Sequence, residues 1–267
     1  MSTSRIVPVT NWQHNGRSTA DDHIAAEVAV ALTFNRQSHV VMMATPQDLE
    51  DFGLGFSLTE GIIDSPADLL GLKVIPREQG LELAILINEA CFDRLATQRR
   101  NLTGRTGCGL CGAESLEQAM RYPAVVEKHI QVRITALQKA IDSLGDLQPL
   151  QAITGAVHGA AWCSLEGDIE LLREDVGRHN ALDKLIGAMN KAGLPVDQGF
   201  LLVTSRASYE MVYKAAAVGM ELLAAVSAPT TLAVDFANQS GLTLVGFARP
   251  GRHNIYTFSE RVIEGDA

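Results

Sequence analysis

The sequence has no second Cys-x-x-Cys, no closely spaced His pair and no surplus of positive charge. It also has no apolar run near the roughly 18 residues that a membrane span needs. Each absence excludes something. Without such a run, no helix is expected to cross a bilayer. A formal net charge of -9, from 22 Lys and Arg against 31 Asp and Glu, argues against a general nucleic-acid binder, although a local basic loop can still hold a phosphate. Only four cysteines occur in 267 residues, in no even framework, and no secretory signal leads the chain. The expectation is a reducing cytoplasm. Repeats and low-complexity tracts are absent as well. What remains is 46% apolar and 20% charged, an ordinary globular mixture. This length lies at the upper edge of one core, or makes two small domains.

One stretch stands out against this background. Gly104-Arg105-Thr106-Gly107-Cys108-Gly109-Leu110-Cys111-Gly112 puts four glycines and a Cys-x-x-Cys into nine residues. Arg99, Arg100 and Arg105 lie just upstream, and Ser115-Leu116-Glu117-Gln118 reads as a capping box, so a short helix is expected after Cys111. Positive charge and a helix N-terminus both favour thiolate over thiol, so the stretch reads as reactive sulfur on a loose basic tether. Three readings of the pair stand side by side: redox chemistry, half a zinc site, and chance. A structural zinc site needs four ligands, and the other cysteines, Cys91 and Cys163, sit in apolar runs and read as core residues. A thioredoxin-type motif would open a long helix directly after a strand, which a glycine loop does not.

Along the chain, residues 1–22 read as polar and aperiodic, a flexible N-terminus. Glu27–Leu32 and Val40–Ala44 read as a hairpin turning at Asn35-Arg36-Gln37-Ser38. Thr45, Pro46 and the acids of 48–51 read as the start of a helix that ends by Gly61. Strands are expected at Leu72–Pro76 and Leu81–Ile87, and a helix over 89–100. After Pro123 the texture changes, and the domain boundary is placed near 123–132. Ile134–Leu144 is an expected helix. Beyond Gln151 strands alternate with helices: strands at 160–165, 169–173, 200–204, 221–227 and 242–247, helices at 180–191, 208–218 and 230–238. This pattern predicts a parallel or mixed sheet with helical crossovers.

Ligands of such sheets bind at strand ends near helix N-termini. Three expected strand ends carry arginine beside small or turn residues: Arg173 to Asn180 with Arg178, Thr204 to Ser208 with Arg206, and Ala248 to His253 with Arg249 and Arg252. Guanidinium groups there suit phosphate oxygens. His158 and His179 are further candidates. Zinc deaminases use His-x-Glu followed by Cys-x-x-Cys; here Ala160 is the second residue after His158, and the Cys-x-x-Cys lies upstream.

Together, Glu27–Leu32, Ala44–Gly61, Gly104–Gly112, Thr154–His158, Arg173–Lys184, Thr204–Lys214, Val226–Val234 and Leu242–Phe247 resemble the FdhD family, the formate dehydrogenase accessory sulfurtransferases. Ala156 stands where many members resemble Thr-Gly-Gly-x-His. The resemblance implies an α/β fold: an α+β domain over 23–125 that ends in the Cys-x-x-Cys loop, then a cytidine-deaminase-like three-layer domain over 126–267 without the zinc site.

It also implies a cytoplasmic sulfur carrier, with no nucleic acid or membrane as partner. A cysteine desulfurase would load persulfide sulfur on Cys108, with Cys111 beside it. The sulfur would pass to the molybdenum cofactor, in its bis(molybdopterin guanine dinucleotide) form, before that cofactor enters formate dehydrogenase. Phe247-Ala248-Arg249-Pro250-Gly251-Arg252 matches the family's cofactor-binding stretch, and Arg178 and Arg206 join it as cofactor-binding candidates. Guanine nucleotides are expected to bind as cofactor fragments. A homodimer is implied, and no structural metal. Two other functions compete with this one: a non-catalytic cofactor chaperone that docks formate dehydrogenase, and a dithiol redox regulator.

Overall fold

A computed structural model describes residues 1–100, 125, 126 and 130–265. The Cys-x-x-Cys stretch with Arg105, and the expected helix after Ser115, lie outside the described residues.

The first surprise is at the start. Residues 1–22, expected to lack regular structure, form a long antiparallel hairpin of β1 (Ser4–Gln13) and β2 (Gly16–Ala25). Its turn is His14-Asn15, and Gly16 follows at φ 130. Gly16 supplies the positive-φ backbone that closes this two-residue turn, and the hairpin forms despite the polarity of its strands.

The next hairpin is as expected. β3 (Val28–Phe34) and β4 (Gln37–Ala44) are joined by Asn35-Arg36, both at positive φ, as a tight two-residue turn demands. With β5 (Leu69–Arg77) and β6 (Gly80–Ile87) they make a mixed four-stranded sheet of order β4-β3-β6-β5. Alternate residues Val30, Leu32, Leu83 and Ile85 point to one face. There they pack on Phe52 and Phe56 of α1 (Leu49–Thr59) and on Cys91 and Leu95 of α2 (Glu89–Arg100). Thr45 and Pro46 do not start α1. Asp48 is its cap, in a left-handed conformation, because Thr45 is drawn into a tertiary hydrogen-bond set described below.

The larger half is a six-stranded mixed sheet of order β13-β12-β11-β10-β8-β9. Its strands are β8 (His158–Ser164), β9 (Ile169–Asp175), β10 (Gly199–Val203), β11 (Leu222–Ala225), β12 (Thr243–Arg249) and β13 (Arg252–Ile255). A short parallel pair, β7 (Val132–Arg133) with β14 (Val262–Ile263), lies apart. α3 (Ile134–Leu144) covers one face through Leu137, Ala140 and Ile141, against Cys163, Phe200 and Leu202. The other face is covered by α5 (Arg178–Ala192), α6 (Tyr209–Ala217) and α7 (Thr231–Ser240). The result is three layers. A short helix α4 (Pro149–Thr154), not anticipated from the sequence, precedes β8. Gly193 and Gly241 end α5 and α7 at φ 68 and 73, the positions where the chain must turn left-handed.

The two halves share a joint. α1 crosses α5 so closely that a Cβ on Gly55 would strike the Asp183 carbonyl, and one on Gly187 the Asp51 carbonyl. Leu58 belongs to both cores. Buried charge reinforces the crossing. Lys214 Nζ donates to Asp183 Oδ1 and Oδ2 at 3.0 Å, to Glu60 Oε1 at 2.9 Å and to Thr59 Oγ1 at 2.9 Å. Burial alone would push the Lys214 ammonium down, but Asp183 and Glu60 outweigh it and hold it charged. Among the described residues, no helix is long and apolar enough to cross a membrane.

Candidate functional site at the carboxyl edge of the large sheet

β9, β10, β11 and β12 run in one direction, and β8 runs against them. The carboxyl ends of those four strands and the start of β8 therefore share one edge. All three arginine-bearing turns anticipated from the sequence fall on it. They do not meet at one point. Four inter-strand steps separate β9 from β12, about 19 Å at the usual strand spacing of about 4.8 Å.

At the β9 end, Asp175 fixes the turn. It is fully buried. Its Oδ2 accepts from Lys184 Nζ at 2.6 Å and Thr45 N–H at 2.9 Å; its Oδ1 accepts from Gly177 N–H at 2.8 Å and Asn180 Nδ2 at 3.0 Å. Lys184 also donates to the Thr45 carbonyl at 2.9 Å, and Thr45 Oγ1 accepts from Val176 N–H at 3.1 Å. This clamp ties the β4–α1 loop to the first turn of α5, so Arg178 and His179 are presented by a rigid frame.

Arg173 has a different role from the one expected. Its guanidinium lies in the joint, with Nε donating to Asp51 Oδ2 at 2.9 Å and Nη1 to the Leu172 carbonyl. Bound there, it does not offer its fork to a ligand.

Glu210, in the first turn of α6, lies 2.7 Å from His179 Nε2 and 3.7 Å from Arg178 Nη2. These two neighbours, His179 first, hold its carboxyl below the usual range despite burial. Arg178 Nε and Ser208 Oγ are buried without a hydrogen-bond partner. Buried polar groups are nearly always paired, so orphaned donors at a sheet edge point to a missing acceptor. His158 opens β8 beside this group. Burial pushes its imidazole down, and the charges of Arg178 and His179 push it further. It stays neutral at neutral pH.

The same histidine borders a pocket of about 410 Å³ lined by Gln148, Gln151, Gly155, Ala156, Val157, His158 and Thr204. Arg206 is exposed in the loop between β10 and α6.

At the β12 end, Ala248 is buried in the core under α3, whereas Arg249, Pro250, Gly251 and Arg252 form an exposed turn. Phe247 is half-buried at φ 51, where the ladder to β13 shifts register. Gly251 N–H is already taken by Gln138 Oε1 at 2.8 Å. Arg249 and Arg252 stand directly opposite each other in the ladder. Like charges so placed repel, and among the described residues neither has a carboxylate partner. An anion lying between them would relieve the repulsion.

Sequence reading missed Glu210, Gln148 and Gln151. No local pattern marks them, since each meets the site through chain folded from far away.

Cys91 and Cys163 are buried, as anticipated, and burial pushes the Cys163 thiol far up, which unfits it as a nucleophile. A cluster of Asp64, Asp68 and Cys91 has ligand atoms close together, but Arg94 fills it, bonding Asp64 at 2.9 Å and Cys91 Sγ at 3.6 Å.

Comparison with known proteins places these features in context. The FdhD/NarQ family model matches residues 25–263. The chain is 51% identical over 260 residues to the sulfur carrier protein FdhD of Cupriavidus necator, covering 97% of this chain and 90% of that one. It is 49% identical over 263 residues to the protein of the same name from Xanthomonas campestris pv. campestris, covering 98% and 94%. A crystal structure of a candidate formate dehydrogenase accessory protein from Desulfotalea psychrophila shares the fold, with a TM-score of 0.76 and 24% identity over 98% of this chain and 100% of that one.

Proposed function

The chain belongs to the FdhD/NarQ family, and from that premise we propose that it is a cytoplasmic sulfur carrier that serves formate dehydrogenase. Near-full-length similarity to proteins named sulfur carriers is the observation that carries this reading. In it, the Cys108 thiolate attacks the terminal sulfur of a cysteine desulfurase persulfide. One S–S bond breaks as another forms, the desulfurase leaves as a thiol, and no external electrons are needed. Cys108 then holds the persulfide. Attack by Cys111 on Cys108 Sγ would form an internal disulfide and expel the outer sulfur as sulfide, again with electrons balanced.

The acceptor in this reading is the molybdenum cofactor in its bis(molybdopterin guanine dinucleotide) form, bound as cargo. Long, with pyrophosphates, it suits an edge whose cationic groups are spread over about 19 Å. Arg249 and Arg252 would hold one anionic part. Arg178, with its orphaned Nε, and Ser208 Oγ would hold another, and Arg206 lies on the same edge between them. Guanine nucleotides would bind there as fragments. The carrier would work as a homodimer.

A chaperone reading also draws support from this edge, whose anion-binding groups need no cysteine. Complementation separates the two. In cells lacking the native protein, Cys108→Ala is expected to fold and to leave formate dehydrogenase inactive. Full dehydrogenase activity with that variant would favour the chaperone and remove Cys108 as the carrier.

A further inference from the structure

The β1–β2 hairpin is an arm. It is rooted where Ala26 N–H bonds the Thr3 carbonyl at 2.8 Å, and β2 meets the body at α4. From Thr10 to Ile24 every residue is exposed, on both faces of the ribbon. Trp12 is 70% exposed. A two-stranded ribbon is marginal by itself in water, and three or more strands are needed for independent stability.

The two strands differ in what their free edges offer. β1 carries Pro8, which has no N–H. A proline inside a strand sits with its nitrogen toward the free edge and blunts that edge against further pairing. β2 has no proline along Gly16–Ala25 and belongs to a two-stranded sheet, so its outer row of N–H and C=O groups is a ready template for another strand. Pro8 lies opposite Asp21 and so sets the phase of that row. With the Pro8 nitrogen outward, the backbone groups of Asp21 face outward too, and with them those of Arg17, Thr19 and His23 at every second position.

The side chains along this row carry charge that one chain leaves unmatched. Arg17 lies opposite Trp12 and Asp21 opposite Pro8, and the two are about 13 Å apart along β2. Among the described residues neither has an ion-pair partner.

We propose that β2 pairs antiparallel with β2 of a second copy of this chain, across a two-fold axis at Thr19. Identical strands laid antiparallel are self-complementary, as an isologous contact requires. Centred there, Arg17 of each copy lies opposite Asp21 of the other, and two ion pairs form where each chain alone has none. Across the four strands, one row holds Thr10 and Thr19 of both copies. The rows beside it hold Trp12 and Arg17 of one copy with Asp21 and Pro8 of the other. Such cross-strand pairs are favourable, and no like charges face each other. Both outer edges of the four-stranded ribbon are then β1 with its Pro8, so assembly stops at two copies. This seam rests on the homodimer reading above and adds the strand that forms it.

Sedimentation equilibrium on the full chain tests it. The native protein should be a dimer. Arg17→Asp or Asp21→Arg alone sets like charges opposite each other at two places and should weaken dimerisation roughly tenfold, whereas one chain carrying both should recover native association. Thr19→Pro removes the N–H at the axis and should give a monomer. The arm belongs to none of the hydrophobic cores, so every variant should unfold in urea as cooperatively as the native chain. A dimer unmoved by all three single changes places the seam elsewhere, although the homodimer reading survives. A native chain that is monomeric at every concentration removes both. Should Thr19→Pro disorder the arm, amide exchange of the native chain decides. The N–H groups of Arg17, Thr19 and Asp21 should exchange slowly in the dimer and fast on dilution. Fast exchange in both states overturns the pairing, as does slowing that appears only when formate dehydrogenase is added, which would give the edge to a strand of that partner.

Discussion

Replacing Lys214 by Met would test the joint that makes the two cores one framework. Lys214 is buried from solvent and meets Asp183, Glu60 and Thr59 on α5 and α1. Its Nζ also lies 5.4 Å from the centre of the Phe56 ring. Methionine fills similar space without charge, so the main change is to Asp183, 1% exposed, which loses its counter-ion. Breaking a buried pair from one side costs about 3–5 kcal/mol. At about 2–4 °C per kcal/mol for a chain of this order, the melting temperature should fall by roughly 6–20 °C. The pH dependence carries a sign. Burial pushes the Asp183 carboxyl up, and Lys214 and Thr59 oppose that. With Lys214 gone its folded pKa rises further above the unfolded value of about 3.9, so the folded state binds more protons than the unfolded one. Stability of the variant should then fall as pH rises, with the loss larger near about pH 8 than near about pH 5. Asp183→Asn in the same chain should recover much of it. Urea unfolding of the four proteins at both pH values is the assay. A loss under about 1 kcal/mol at the higher pH, or strict additivity of the two substitutions, would refute the coupling.

Three further outcomes are expected. Gly187→Val should cost at least about 1–3 kcal/mol by overpacking against the Asp51 backbone, read as a lower denaturant midpoint at unchanged slope; a neutral result would mean that α1 and α5 do not cross this closely. Burial lowers His158 and His253 below the unfolded value of about 6.5, so the unfolded chain binds more protons and stability should decline as pH falls through that range. Melting curves of His158→Gln with His253→Gln should show a flatter decline, and an unchanged slope would remove both groups as its source. Arg249→Ala with Arg252→Ala should weaken GDP binding by roughly tenfold to a few hundredfold, and native binding should weaken with added salt. The same pair of changes should leave the free protein as stable or slightly more so, because like charges no longer face each other. Equal GDP affinity by calorimetry would remove that turn from the site.

Much of the fold was legible where local chemistry agreed with tertiary need. Ile134–Leu144 read as a helix because its apolar residues recur at helical spacing against one sheet face, and the structure has it over those residues. α1 was harder, since it is buried on both sides and no single stripe marks it. Its start was misread because Thr45, a good local cap, makes its bonds with Asp175 and Val176 more than a hundred residues away. The β1–β2 hairpin was missed by weighing polarity above the turn at His14-Asn15 and the glycine that follows it.

For the site, the arginines at strand ends were visible and their common edge was correct, because alternation of strand and helix fixes which ends align. What each arginine does was not visible. Arg173 and Arg178 are five residues apart, yet one is tied to Asp51 and the other faces Glu210, a difference made entirely by which element folds against each. Gln148 acquires meaning only when Gly159 lets its amide settle beside β8.

Intact-mass measurement of the protein after incubation with a cysteine desulfurase and free cysteine tests the sulfur-carrier account most directly. The account predicts an added mass of about 32 Da, one sulfur atom, removed by a thiol reductant and absent from Cys108→Ala. A protein that gains no sulfur, or a Cys108→Ala variant that gains as much as the native chain, would contradict it.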